Sequence, residues 1–271
     1  MNIQENKTYA SESFHWYDVE GNPRHEMPKK DGSGMRPTTL ADARKLNLLP
    51  SVTSILSLYP RPYLQMWQKK QVLMSALTLT RLKDETDDAL IARIMADADE
   101  QARIAREKGT AIHGAIERFI CGLSTEVEYS IYVQAVLSAL KTHLEDYAFL
   151  TKCKAEKSFA SEVGYGGRID IFSRELGFIA DIKTSEFDDL KKVGYQEHLI
   201  QLSAYGYGLN MLDARLLNVY VSTKVPGLVK IIEYTEGKEE AFEIFKKCFE
   251  LWCLIKKYSP RGNNVNNTNS I

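Results

Sequence analysis

The chain has 271 residues, 44% hydrophobic and 26% charged, proportions that exclude collagen-like, disordered and coiled-coil proteins and suit a globular fold with a sizeable core. Its 35 Lys and Arg against 36 Asp and Glu leave a formal net charge of -1, so no whole-protein field draws it to nucleic acid and any polyanion site must be local. Four cysteines (Cys121, Cys153, Cys248, Cys253) are too few for a disulfide framework; with no signal-peptide layout at the N-terminus and no apolar run near the ~20 residues that span a bilayer, a soluble protein of the reducing cytoplasm is expected.

One domain spanning 1–271 is expected, because no Pro/Gly/Ser-rich linker interrupts the chain between Pro50 and Pro260. Residues 1–50 read as a polar arm and hairpin. Trp16-Tyr17-Asp18-Val19 is a short strand entering the turn Glu20-Gly21-Asn22-Pro23, Lys29 to Gly34 is a loop, and low order is expected over the first 35 residues. Residues 51–150 read as a helical wall: Ser51 caps Val52 to Leu58, and Pro62 opens a helix through Ala76. Between Asp87 and Ile120 apolar residues recur at three- and four-residue steps, with Gly109 expected to break the helix before Ala111 resumes it. A further helix fits Glu128 to Tyr147.

Residues 151–258 read as an α/β core. Period-two patterning over Ala155 to Ala160, Arg168 to Ser173 and Phe178 to Thr184 predicts a three-stranded meander. A helix over Tyr195 to Leu209, strands over Leu216 to Ser222 and Val229 to Tyr234, and an amphipathic helix over Glu239 to Lys257 complete it. Within 259–271, Asn263 to Asn269 reads as a mobile polar tail.

An acid-any-lysine tripeptide occurs at Asp181/Lys183, Asp189/Lys191 and Glu236/Lys238, about as often as random placement gives. Only Asp181-Ile182-Lys183 falls in a predicted strand, where residues two apart share a face and a carboxylate stands beside an ammonium. Such a pair can hold Mg²⁺ and act on an attacking water. Asp170 faces away from Ile169 and Ile171 by alternation and converges with Asp181 as a hard oxygen ligand, with Glu156 offering a third oxygen. Two surface acids on an edge face would show the same pattern. Gln201 and Tyr205 share one helical face and can bond phosphate or base, although a helix surface with one amphipathic tyrosine reads the same way. His113, beside the stripe Ile112, Ala115, Ile116 and Phe119, is a partly buried side chain unless the meander's acids lie across from it as co-ligands.

In order, His113, Glu156, Asp170, Asp181/Lys183 and Gln201/Tyr205, on helix, strand, strand, strand and helix, resemble the RecB-type exonuclease branch of the PD-(D/E)XK nuclease superfamily. That branch carries a helical histidine, G-x-x-D, an apolar run into D-x-K, then Q-x-x-x-Y. The resemblance covers Gly109 to Tyr205, and Ser51-Val52-Thr53-Ser54-Ile55-Leu56 is similar to the helical entry of phage and mitochondrial genome-maintenance exonucleases of the branch. It implies a restriction-endonuclease-like core and a DNA exonuclease dependent on Mg²⁺ or Mn²⁺. By the same resemblance His113, Asp170, Asp181, the carbonyl of Ile182 and Glu156 hold the metal. Lys183 serves the nucleophilic water as catalytic partner of Asp170 and Asp181, and Gln201, Tyr205 and Arg168 meet DNA. The implied partner is DNA with a free end, with room for a recombination or replication protein, and no membrane.

Some members of the branch carry a four-cysteine iron-sulfur cluster, one cysteine ahead of the histidine and three near the C-terminus. Here Cys121 follows His113 and only Cys248 and Cys253 are C-terminal, so no cluster is expected and buried free thiols are the simpler reading. Two other functions fit the same residues: an endonuclease on the same fold, for which no recognition domain is evident, and an inactive DNA-binding protein. The second has no use for paired acids, which repel phosphate unless a cation sits between them. Arg61, Lys69, Lys70, Arg103, Arg106 and Lys108 form a local basic supply, while Tyr63 and Trp67 can stack bases but read first as helix core.

Overall fold

The computed structural model describes residues 15–188 and 194–262; the expected tail at Asn263 to Asn269 and the Asp189/Lys191 tripeptide lie outside the described residues. In chain order, β1 (Trp16–Tyr17), β2 (Glu26–Pro28), β3 (Met35–Pro37), α1 (Leu40–Leu46) and β4 (Leu49–Pro50) precede α2 (Val52–Ile55), α3 (Pro62–Thr78) and α4 (Asp87–Ile120). Next come α5 (Ser130–Leu144), α6 (Phe149–Lys152) and the meander β5 (Lys154–Ala160), β6 (Gly166–Ser173) and β7 (Phe178–Ser185). Helix α7 (Gln196–Gly208) crosses to β8 (Arg215–Ser222), and β9 (Val229–Tyr234) and α8 (Lys238–Lys256) close the fold.

The fold is mixed α/β. Strands β5 to β9 form one sheet in sequence order, antiparallel except where α7 makes β8 parallel to β7. Both faces of this sheet are covered, so β7 can carry the uninterrupted apolar run Phe178 to Ala180. On one face Ile179 and Leu216 pack with Ile200 and Leu202 of α7 and Phe245 of α8; on the other Ile182 and Val219 pack with Ile112 and Ile116 of α4 and Val136 of α5. No described helix is long and apolar enough to cross a membrane. All four cysteines are free thiols, and the expected burial fails at Cys121, which is exposed.

Four sequence expectations are corrected. The N-terminal arm is not loose over residues 15–35: Trp16 is fully buried, its ring 6.0 Å from Trp252 and 6.2 Å from Tyr258. Helix α1, unforeseen, starts on a capping box in which Thr39 and Asp42 satisfy each other's backbone N–H groups. Helix α4 runs unbroken through Gly109. A Cβ at Gly109 would lie 2.6 Å from Thr184 Oγ1, so the glycine lets α4 press against β7 rather than ending the helix. Helix α5 stops at Leu144, three residues short of Tyr147, because Glu145 turns to a φ of 54°.

An ion cluster ties α5 to the β8–β9 edge. Glu233 accepts from Arg215 Nη2 at 2.7 Å and from His143 Nε2 at 2.8 Å. Hydrogen bonding from Arg215 first, then from His143, holds the Glu233 carboxyl at about 2, below its ordinary 4.5. A depressed carboxylate contributes stability that is complete above its unfolded value and disappears as pH falls through the folded one. Glu233→Gln should therefore cost about 1 kcal/mol at neutral pH, and the difference should vanish between pH 4.5 and 2, read from urea melts of both proteins across that window.

Candidate active site

The candidate residues meet where β6 and β7 part. Their ladder pairs Ser173 with Phe178, Phe172 with Ile179 and Ile171 with Ala180, and ends there. Asp170 and Asp181, next in that register, are not bridged; instead Asp170 Oδ2 accepts the Ile182 N–H at 2.7 Å. On the other side of β6 the ladder skips Glu156, opposite Asp170, whose φ of 57° is left-handed. Holding a non-glycine there costs about 1–3 kcal/mol, a strain that collects at functional sites. In consequence Ile169 and Ile171 enter opposite cores, so the alternation expected to turn Asp170 away from both is broken.

Helix α4 closes the opening from one side. His113 and Glu117 stand one turn apart on the same face. His113 Nδ1 lies 3.8 Å from Asp170 Oδ2, and one ligand atom each of His113, Glu117 and Asp170 falls within 4.8 Å of the others. Burial pushes the Glu117 carboxyl up to about 8, with the charges of Glu156 and Asp170 adding to the push. Glu156 pairs one oxygen with Arg168 and lies within hydrogen-bonding reach of the Glu117 carboxyl, a contact that adds to the push on Glu117. An imidazole among crowded carboxylates is a donor set that suits a divalent cation. Sequence reasoning missed Glu117, although the spacing His113-x-x-x-Glu117 carried the signal.

From the other side α7 covers Asp181. This carboxylate is 4% exposed. Its Oδ1 accepts Gln201 Nε2 at 2.8 Å, and its Oδ2 accepts Asn218 Nδ2 at 3.0 Å and Lys183 Nζ at 2.8 Å. Gln201 Oε1 accepts a second bond from Lys183 Nζ at 3.0 Å, while its Nε2 also reaches Tyr205 Oη at 2.8 Å. Burial raises the Asp181 carboxyl above the usual carboxylate range, against the pull of Lys183 and with a push from Asp170.

Asp181 and Lys183 stand side by side, next to the converging set of three and outside it, with the Asp181 oxygens accepting from Gln201, Asn218 and Lys183. Ile182 meets the site through its N–H, which donates to Asp170. Gln201 and Tyr205, expected on DNA, are buried and turned toward the strand pair, where they position Asp181 and Lys183. Arg168, also expected on DNA, is 48% exposed and held by Glu156. Among the basic supply Arg103 is neutralised by Glu100 and Glu107, and Lys108 is tied to the Thr223 carbonyl. Tyr63 is 63% exposed, so it is not core.

No family model matches the chain, and no curated protein matches it. Among solved structures, the crystal structure of SSO0001 aligns with 73% of this chain and 89% of its own at 15% identity, with a TM-score of 0.29, a likeness too low to carry an argument.

Proposed function

We propose that the protein is a metal-dependent deoxyribonuclease of the PD-(D/E)XK type, working as an exonuclease from a DNA end. The observation that carries this reading is the Asp181–Lys183 pair, 2.8 Å apart on one strand, beside the His113, Glu117 and Asp170 set. In the same reading the meander, crossover helix and following strands are a restriction-endonuclease-like core.

Mg²⁺ or Mn²⁺ bound by His113, Glu117 and Asp170, with Glu156 at hand, would offset charge developing on phosphate oxygens and acidify a water. The chain's own residues do the rest. An ammonium has three donors; Asp181 and Gln201 take two of those of Lys183, leaving one to orient a water or a phosphate oxygen. Tyr205 fixes Gln201, and Asn218 fixes Asp181, so that the lysine approaches from one direction. Exonuclease rather than endonuclease action fits α3 and the outer part of α4, residues 87–108, which are more than a small nuclease core requires.

The test is digestion of end-labelled linear DNA and relaxed closed circles with Mg²⁺, Mn²⁺ or chelator. Linear DNA should be degraded with either metal and spared with chelator, circles should survive, and binding should weaken steeply with salt. Cutting of closed circles at discrete sites would replace the proposal with an endonuclease, and no hydrolysis under any metal would reject catalysis.

A further inference from the structure

Strand β7 leads away from Lys183 through Thr184 and Ser185 to Glu186, about 10 Å further on at strand rise. There a cavity of about 200 Å³ opens, lined by Trp67 and Gln71 of α3, Gln101 and Lys108 of α4, and Glu186 and Thr223 just beyond β7 and β8. Its volume is below the roughly 300–1,000 Å³ of pockets for drug-sized ligands and leaves room for about one ring system. Lys108 precedes His113 by five residues on α4, so both elements that carry the candidate active site run into this cavity.

Helix α3 presents Tyr63, Trp67 and Gln71 at steps of four, hence on one face. Tyr63 packs on Tyr195 with ring centroids 4.6 Å apart, one turn before Trp67 lines the cavity. Lys70, next to Gln71 on the same helix, is exposed. An indole can stack a base, two primary amides and a carboxylate can pair with its edge, and Lys70 suits a phosphate that follows.

We infer that this cavity is a nucleobase subsite, taking one unpaired base of a single-stranded DNA end whose scissile phosphate lies at Lys183. The inference rests on the nuclease reading and adds to it the strand form of the substrate. A paired base has no free Watson–Crick edge for the amides, so a blunt duplex should not fill it.

Trp16 and Trp252 are 0% and 1% exposed, which leaves Trp67 as the tryptophan a ligand can stack on and quench. Wild-type protein in Ca²⁺ should lose tryptophan fluorescence with a short single-stranded oligo(dT) and not with a blunt duplex. Trp67→Ala should weaken oligo(dT) binding, followed by anisotropy of a labelled strand, about tenfold. Trp67→Phe, which keeps a stacking ring, should stay within about threefold of wild type. If Trp67→Ala lowers the melting temperature, Gln71→Ala takes its place, with a loss of several-fold expected and duplex binding unchanged. Hydrolysis of single-stranded ends with neither quenching nor a loss of affinity in these variants overturns the subsite and leaves the nuclease reading intact. Quenching and binding without hydrolysis under any metal support the subsite and reject the nuclease reading. Neither binding nor hydrolysis overturns both.

Discussion

Lys183→Ala should slow cleavage of linear DNA by at least ~10³-fold, while affinity for the same DNA in Ca²⁺ changes less than about threefold. The asymmetry follows from geometry. Lys183 is 25% exposed and held by Asp181 and Gln201, so in the proposed reaction it has one donor left for the reacting phosphate and supplies little of the general attraction to the polyanion. Its loss also strips Asp181 of its counter-charge inside a buried pocket, where burial already pushes the carboxyl upward. Single-turnover digestion in Mg²⁺ measures the rate, and a melting curve separates catalytic loss from unfolding. Lys183→Met, close to the lysine in length, should lose the same activity with less loss of packing. A wild-type rate in either variant would move the chemistry away from β7.

Trp16→Ala should cost roughly 3–5 kcal/mol, and for a chain of this length each kcal/mol moves the melting temperature by about 2–4 °C. The residue has no part in the proposed chemistry. Its ring is fully buried between Trp252 and Tyr258, and Tyr258 Oη donates onward to the Leu48 carbonyl at 2.7 Å. The Trp16 and Tyr258 contacts thus join β1 and the region of β4 to the end of α8, more than 200 residues further along the chain. Calorimetry of the variant checks the value; a shift below about 2 °C would mean the segment packs without contributing to the core.

Long periodic elements were legible in the sequence because their patterns are local. The meander, β8, β9, α7 and α8 fall within a residue or two of expectation, and Ser51 caps α2 as its type suggests, accepting from the Ser54 N–H. What was misread depends on contacts the sequence does not display. Gly109 resembles a break until Thr184 is seen against it. Polar composition suggested disorder near Trp16 because its apolar partners lie at the far end of the chain. At the site, Lys183 beside Asp181 followed from strand period alone, whereas the capture of Gln201 by both depends on how α7 lies across β7. Glu117 is not legible for a different reason: the apolar stripe around His113 accounts for that helix face, and the carboxylate one turn along becomes a site residue only with Asp170 across from it.

The unbroken course of α4 makes it a lever. With its backbone ladder continuous, the segment 87–108, roughly 33 Å long, and the turns bearing His113 and Glu117 move as one rod. Gly109 against Thr184 is the natural pivot, a point where the helix backbone comes within side-chain contact of β7. Any tilt of the outer segment about it would turn the histidine and glutamate through the same angle and, on a shorter arm, over a smaller distance.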